Sequence, residues 1–124
     1  MMGMPLYRLE KGFWFDGVNI SRQTMSNMLI KCCELCLFSI YALLTSHLLL
    51  EIYLHADETT LQVLHEPGRK ARQKSYEWVY RTGTAAKRKI VVYIYKETRE
   101  AKHPQGFLAE WKGPLHADGY QGYQ

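Results

Sequence analysis

The chain is short of cysteine, and the three it has are crowded together. Cys32, Cys33 and Cys36 fall within five residues. An odd, clustered set makes a poor disulfide framework. Cys33 and Cys36 have CxxC spacing, but a structural zinc site takes four ligands and there is no second pair. Small residues buried in a helix, in a reducing cytoplasmic setting, are the expectation. A bilayer-length apolar run is lacking too. The longest, LCLFSIYALLTSHLLL at 35–50, contains His47 and falls short of the roughly 20 residues of a spanning helix. It is also not N-terminal, as a signal peptide would be. A buried or partner-facing helix, and no membrane, is expected. Neither a Gly-rich phosphate loop nor a Ser-His-Asp spacing is present. No Asp or Glu comes after Asp118.

The 124 residues suffice for one core, and 47% hydrophobic with 23% charged residues is a globular balance. The net charge of +4 is uneven. Residues 68–89 carry Arg69, Lys70, Arg72, Lys74, Arg81, Lys87, Arg88 and Lys89 against one acid, Glu77. Such a block suits a polyanion, and equally a solvated loop and hairpin tip.

Residues 4–16 read as a short helix ended by Gly17. Ser21 is an N-cap for a second helix carrying Arg22, Gln23, Thr24, Ser26 and Asn27. The outline is that of a helix-turn-helix, whose polar residues could meet phosphates or base edges, or of a plain helical hairpin. A longer helix is expected from about Asn27 to Leu49. From residue 51 the pattern changes. IYLHAD is a strand, with LQVLH extending it or forming another. SYEWVYR alternates with Tyr76, Trp78 and Tyr80 on one face, and KIVVYIYKE pairs with it. HPQGFLAEWK is a helix from near Pro104, with Phe107, Leu108 and Trp111 for the core. A second LHAD closes the series. The fold class expected is α/β (α+β): a helical segment at 1–50, then β-β-β-α-β over 51–124.

The two LHAD segments place Asp57 and Asp118 61 positions apart (118 − 57). One continues as ETTLQ and the other as GYQGY, so they are not a repeat. If the last strand returns parallel to the first, both aspartates reach one edge. Carboxylates brought close repel, and a divalent ion such as Mg²⁺ relieves the conflict. Two such ions suit phosphodiester chemistry. Singly, Asp57 fits a turn cap and Asp118-Gly119 a turn. Glu58 points away from Asp57 and is expected to pair with the basic loop. His55 and His116 share the aspartates' face, tuning a metal or lining the cleft. Tyr120 and Tyr123 either stack on bases or pack.

ISRQTMSN, HADETTLQVL, SYEWVYRTG and FLAEWKGPLHADGYQGY together resemble the transposases of the insertion sequence 66 family, from about Pro5 to the end. The resemblance implies a DDE transposase with a ribonuclease-H-like core that cuts and joins DNA at transposon ends. It implies Asp57 and Asp118 as catalytic metal ligands for Mg²⁺ or Mn²⁺, two ions in the complete site. It further implies a bacterial, cytoplasmic protein and a homo-oligomer in the full-length family. Arg69, Lys70, Arg72, Lys74, Lys87, Arg88, Lys89, Arg22 and Gln23 are the expected DNA contacts. The family's third carboxylate, a later glutamate, has no counterpart here. The chain is therefore expected to be a truncated fragment, inactive alone, with an incomplete ribonuclease-H-like domain. A non-catalytic DNA-binding module and a non-functional gene remnant are the rival expectations.

Overall fold

The computed structural model describes residues 4–123, which divide into two compact units at Tyr41/Ala42. In the first, α1 (Leu6–Phe15) and α2 (Arg22–Cys32) are joined by a turn in which Gly17 takes φ 79°. A side chain would strain that left-handed conformation. Ser21 caps α2 as expected, its hydroxyl accepting from the Thr24 amide at 3.1 Å. Glu10 of α1 takes the Arg22 amide at 2.9 Å. Two of the orphan amides of the first turn are thus satisfied by side chains.

The helix beginning at Arg22 does not stop where a helix-turn-helix would stop. It passes through a π turn at Cys33–Leu37 into α3 (Phe38–Leu49). Cys36 Sγ lies 3.1 Å from the Cys32 carbonyl and 3.6 Å from Cys32 Sγ. The expected burial of the cysteines is not found: Cys32 and Cys36 are exposed, and Cys33 is half-buried. Nor is the apolar run buried, with Leu35 75% and Phe38 64% exposed. Hydrophobic sequence implied burial, but among the described residues nothing covers this surface. Arg22–Leu49, 28 residues, is long and apolar enough to cross a membrane by length and composition.

The second unit is built on a four-stranded mixed sheet, order β3-β2-β1-β4. The strands are β1 (Leu54–Gln62), β2 (Lys74–Thr82), β3 (Val91–Lys96) and β4 (Leu115–His116). The first three form an antiparallel meander, and β4 returns parallel to β1 after the short helix α4 (Lys102–Phe107). The α+β class and the strand order expected from the sequence are both observed. β1 runs the full length of β2, because ETTLQ continues the strand opposite SYEWV.

Period-two alternation divides the sheet into two faces. One carries Leu54, Ala56, Trp78, Tyr80 and Val92, all buried, and is covered by Phe107, Leu108, Trp111, Tyr120 and Tyr123. Tyr80 stacks on Phe107 at 4.1 Å between ring centroids. Trp78 lies against Tyr123 at 5.8 Å and Tyr120 at 6.2 Å. The Trp111 indole donates to the Glu51 carbonyl at 3.0 Å, pinning the segment before β4 to the entry of β1. The other face, bearing His55, Asp57, Val79, Arg81, Tyr93 and Tyr95, is open; Tyr93 and Tyr95 are exposed.

Candidate functional site

Hydrogen bonding between β1 and β4 sets Leu54 opposite Leu115 and His55 opposite His116. The two LHAD segments are thus side by side, parallel and in register. Asp57 and Asp118 each follow two residues after this paired His55–His116 rung. Ladder pairing itself stops at His116. Both aspartates line one shallow depression of ≈ 250 Å³, together with His55, Ala56, Arg81, His116 and Ala117.

The position of Asp57 within its strand differs from the expectation. It is the fourth residue of nine, not the last, because β1 continues to Gln62. Asp118 lies two residues beyond the end of β4. The rim that both reach is formed where the short β4 gives out, not where β1 ends.

Each carboxylate is exposed and only partly engaged. Asp57 Oδ1 accepts from the Glu58 amide at 2.8 Å. Asp118 Oδ1 accepts from the Tyr120 amide at 3.2 Å, an Asx turn closed by Gly119 at φ 86°. The remaining oxygens are hard donors of the kind Mg²⁺ and Mn²⁺ take. As a donor set the pair fits part of such a site. Among the described residues no group of three or more His, Cys, Asp or Glu is arranged to hold a metal.

Glu58 points to the opposite face, as alternation requires, but its partner is not the basic block. Its side chain is 2% exposed. It takes Arg99 Nε at 2.8 Å on Oε1, with Arg99 Nη2 closing a forked pair, and the Tyr123 hydroxyl at 2.8 Å on Oε2. Arg99 also lies 4.2 Å from the centroid of the Tyr120 ring, whose hydroxyl donates to the Arg99 carbonyl. Burial, then the bond to Glu58, pushes the Tyr123 phenol up, so it stays a donor. Tyr120 and Tyr123 therefore pack. DGYQGY is a latch that folds back over Trp78. Arg99 escapes a reading of the sequence, because no local signal exists for it: its partner is 41 residues away.

The basic block is contiguous in sequence and divided in space. Arg69, Lys70 and Arg72 sit in the β1–β2 connection and Lys74 opens β2; Lys87, Arg88 and Lys89 lie between β2 and β3, at the other end of β2. Nine residues of strand separate the two groups by about 30 Å. Several of these cations already have partners. Arg69 pairs with Glu66 and donates to Ser75, both at 2.7 Å. Arg88 donates to His47 Nδ1 at 2.9 Å. Lys89 donates to the Gly83 and Thr84 carbonyls. Lys70, Arg72, Lys74 and Lys87 are exposed. In the helical unit Arg22 is exposed, and Gln23 donates to Asn27 at 3.1 Å.

Two histidines couple stability to pH. Burial first, then Arg81 and His116, lowers the His55 imidazole below its ordinary value. Burial first, then Lys96 and Lys102, does the same for His103, against an opposing effect of Glu100. His103 Nε2 is 2.7 Å from Thr98 Oγ1. With folded values below the ordinary ~6.5, the unfolded chain takes up protons first as pH falls. This stability is present above that pH and lost on descending through the folded values. The melting temperature should fall between pH 7 and 5, and His103→Gln should flatten the dependence. A wild-type melting temperature constant across this interval would contradict the assignment.

Comparison with known proteins identifies the family. The family model described as Transposase IS66 family matches residues 1–124. The chain belongs to this family. Among curated proteins, the uncharacterized protein y4hP of Sinorhizobium fredii (strain NBRC 101917 / NGR234) is 27% identical over 99% of the chain and 22% of its own length. The uncharacterized protein y4qI of the same strain is 32% identical over 98% of the chain and 23% of its own length. The IS66-family chain thus spans less than a quarter of these relatives. No solved structure matches it.

Proposed function

We propose that this chain carries part of the catalytic centre of a DDE-type transposase, with Asp57 and Asp118 as two of its divalent-metal ligands. The observation that carries the reading is the in-register parallel pairing of the LHAD segments, with both aspartates lining one depression. Family membership supplies the reaction class, DNA strand cleavage and transfer. Mg²⁺ or Mn²⁺ bound there would activate the attacking oxygen and stabilise the leaving one. The protein's part is to hold the carboxylates at fixed spacing. β1 does this for Asp57, and the latch on Trp78 does it for Asp118. The strand order supports a ribonuclease-H-like arrangement over 51–124.

Two carboxylates alone hold a metal weakly and leave the nucleophile poorly placed. Small misplacement costs on the order of 100-fold in rate. The 124 residues by themselves are therefore expected to bind metal without transposing. The reaction would belong to the cytoplasm of a bacterium.

DNA is the proposed partner, held by its phosphates. Lys70, Arg72 and Lys74 stand together at the end toward which β1 runs. They are freer to meet phosphates than Arg69, whose guanidinium braces the turn. Each phosphate neutralised contributes about 0.9 to the slope of log K against log salt. Replacing all three by alanine should reduce that slope by about 2–3 in binding to a short duplex. Arg69→Ala should act mainly on stability. An unchanged slope in the triple variant would move the contact elsewhere.

A further inference from the structure

Beside the carboxylates, β1 and β4 bring two imidazoles together. His55 Nδ1 and His116 Nδ1 are 2.9 Å apart, with ring centroids at 4.9 Å and planes at 70°. Tyr53 packs edge-on against His55 at 4.9 Å, limiting its rotation. The separation is that of a hydrogen bond between the two rings, and it turns two nitrogen donors toward one point. Nitrogens each ~2.05 Å from one ion stand ~2.9 Å apart at the right angles of tetragonal coordination and ~3.3 Å apart at the tetrahedral angle, so Ni²⁺ suits the pair more closely than Zn²⁺.

We propose that His55 and His116 form a nitrogen-donor site for a borderline divalent transition ion, such as Ni²⁺ or Zn²⁺, distinct in chemistry from the carboxylate pair. Imidazole suits such ions, whereas Mg²⁺ is left to oxygen ligands. Both rings belong to the depression that Asp57 and Asp118 line, so carboxylate charge offsets the nearby Arg81. Without an ion, one Nδ1–H donates to the other Nδ1. On binding, that proton leaves Nδ1 and the ring takes one at Nε2, so both imidazoles remain neutral. Water fills the other coordination positions. An ion held here would stand next to Asp57 and Asp118 and compete with catalytic use of the depression. The site depends on the two histidines alone and does not require the aspartates to be catalytic.

Calorimetric titration with Ni²⁺ tests this, in the full chain carrying Cys32→Ser, Cys33→Ser and Cys36→Ser so that thiolates cannot bind. One ion per chain is expected. His116→Ala, at an exposed position that should not disturb folding, should weaken binding at least about tenfold, since half the nitrogen donors are gone. His55→Ala should do the same, with circular dichroism reporting that the sheet persists. Asp57→Asn should keep Ni²⁺ binding while losing Mn²⁺ binding, which separates this site from the carboxylate reading. Absence of saturable Ni²⁺ binding, or affinity unchanged in His116→Ala, would overturn the proposal.

Discussion

Replacing Trp78 with alanine should cost about 3–5 kcal/mol of folding stability, the largest effect expected of any single substitution in the sheet unit. Trp78 is 1% exposed, on the second strand of the sheet, under both tyrosines of the latch. Truncation removes the surface on which DGYQGY rests and leaves a cavity that the short α4 is poorly placed to fill. One feature softens the loss: the buried Trp78 Nε1 has no hydrogen-bond partner among the described residues. An unsatisfied buried donor costs about 1–3 kcal/mol, so Trp78→Phe should be much milder than Trp78→Ala. Urea denaturation monitored by circular dichroism measures both. A Trp78→Ala cost below about 1 kcal/mol would mean that the latch does not depend on this residue.

The second large effect concerns chemistry. In a full-length family member, Asp57→Asn and Asp118→Asn should each abolish metal-dependent strand cleavage, by about 10³-fold or more. Asparagine keeps the size and the neighbouring amide bonds at Asp57 and Asp118. It removes the charge that would offset a bound cation. Groups that act as one unit are non-additive, so the double variant should be little worse than either single one. DNA binding should persist in all three, because it is assigned to Lys70, Arg72 and Lys74. Cleavage retained in either single variant, at rates near wild type, would remove that aspartate from the catalytic set.

Much of the fold can be read before any coordinates. Tyr76, Trp78 and Tyr80 mark a covered sheet face because side chains alternate along a strand. Ser21 marks a helix start because few residues can take an orphan amide. The parallel return of LHAD is expected from a helix between antiparallel strands and a final strand. Three features resist such reading, each for a physical reason. A basic run looks like one patch, but β2 crosses the sheet between Arg69–Lys74 and Lys87–Lys89. Leu35 and Phe38 look like core, because hydrophobicity reports a preference for burial and not whether a covering surface is present. The partnership of Glu58 with Arg99 is a product of tertiary closure and leaves no spacing to detect. The site itself divides along the same line. Asp57 and Asp118 are visible as a pair in the sequence, while the latch that begins at Asp118, and the closeness of His55 to His116, exist only in the folded chain.

Joint capture of one divalent ion by Asp57 and Asp118 is the proposal on which the rest depends. Mn²⁺ titration of the 124-residue chain, with electron paramagnetic resonance reporting the free ion, tests it most directly. Saturable binding is expected in wild type, with the same loss in Asp57→Asn, in Asp118→Asn and in the double variant. Mn²⁺ uptake that survives either single substitution undiminished would show that the two aspartates do not share an ion.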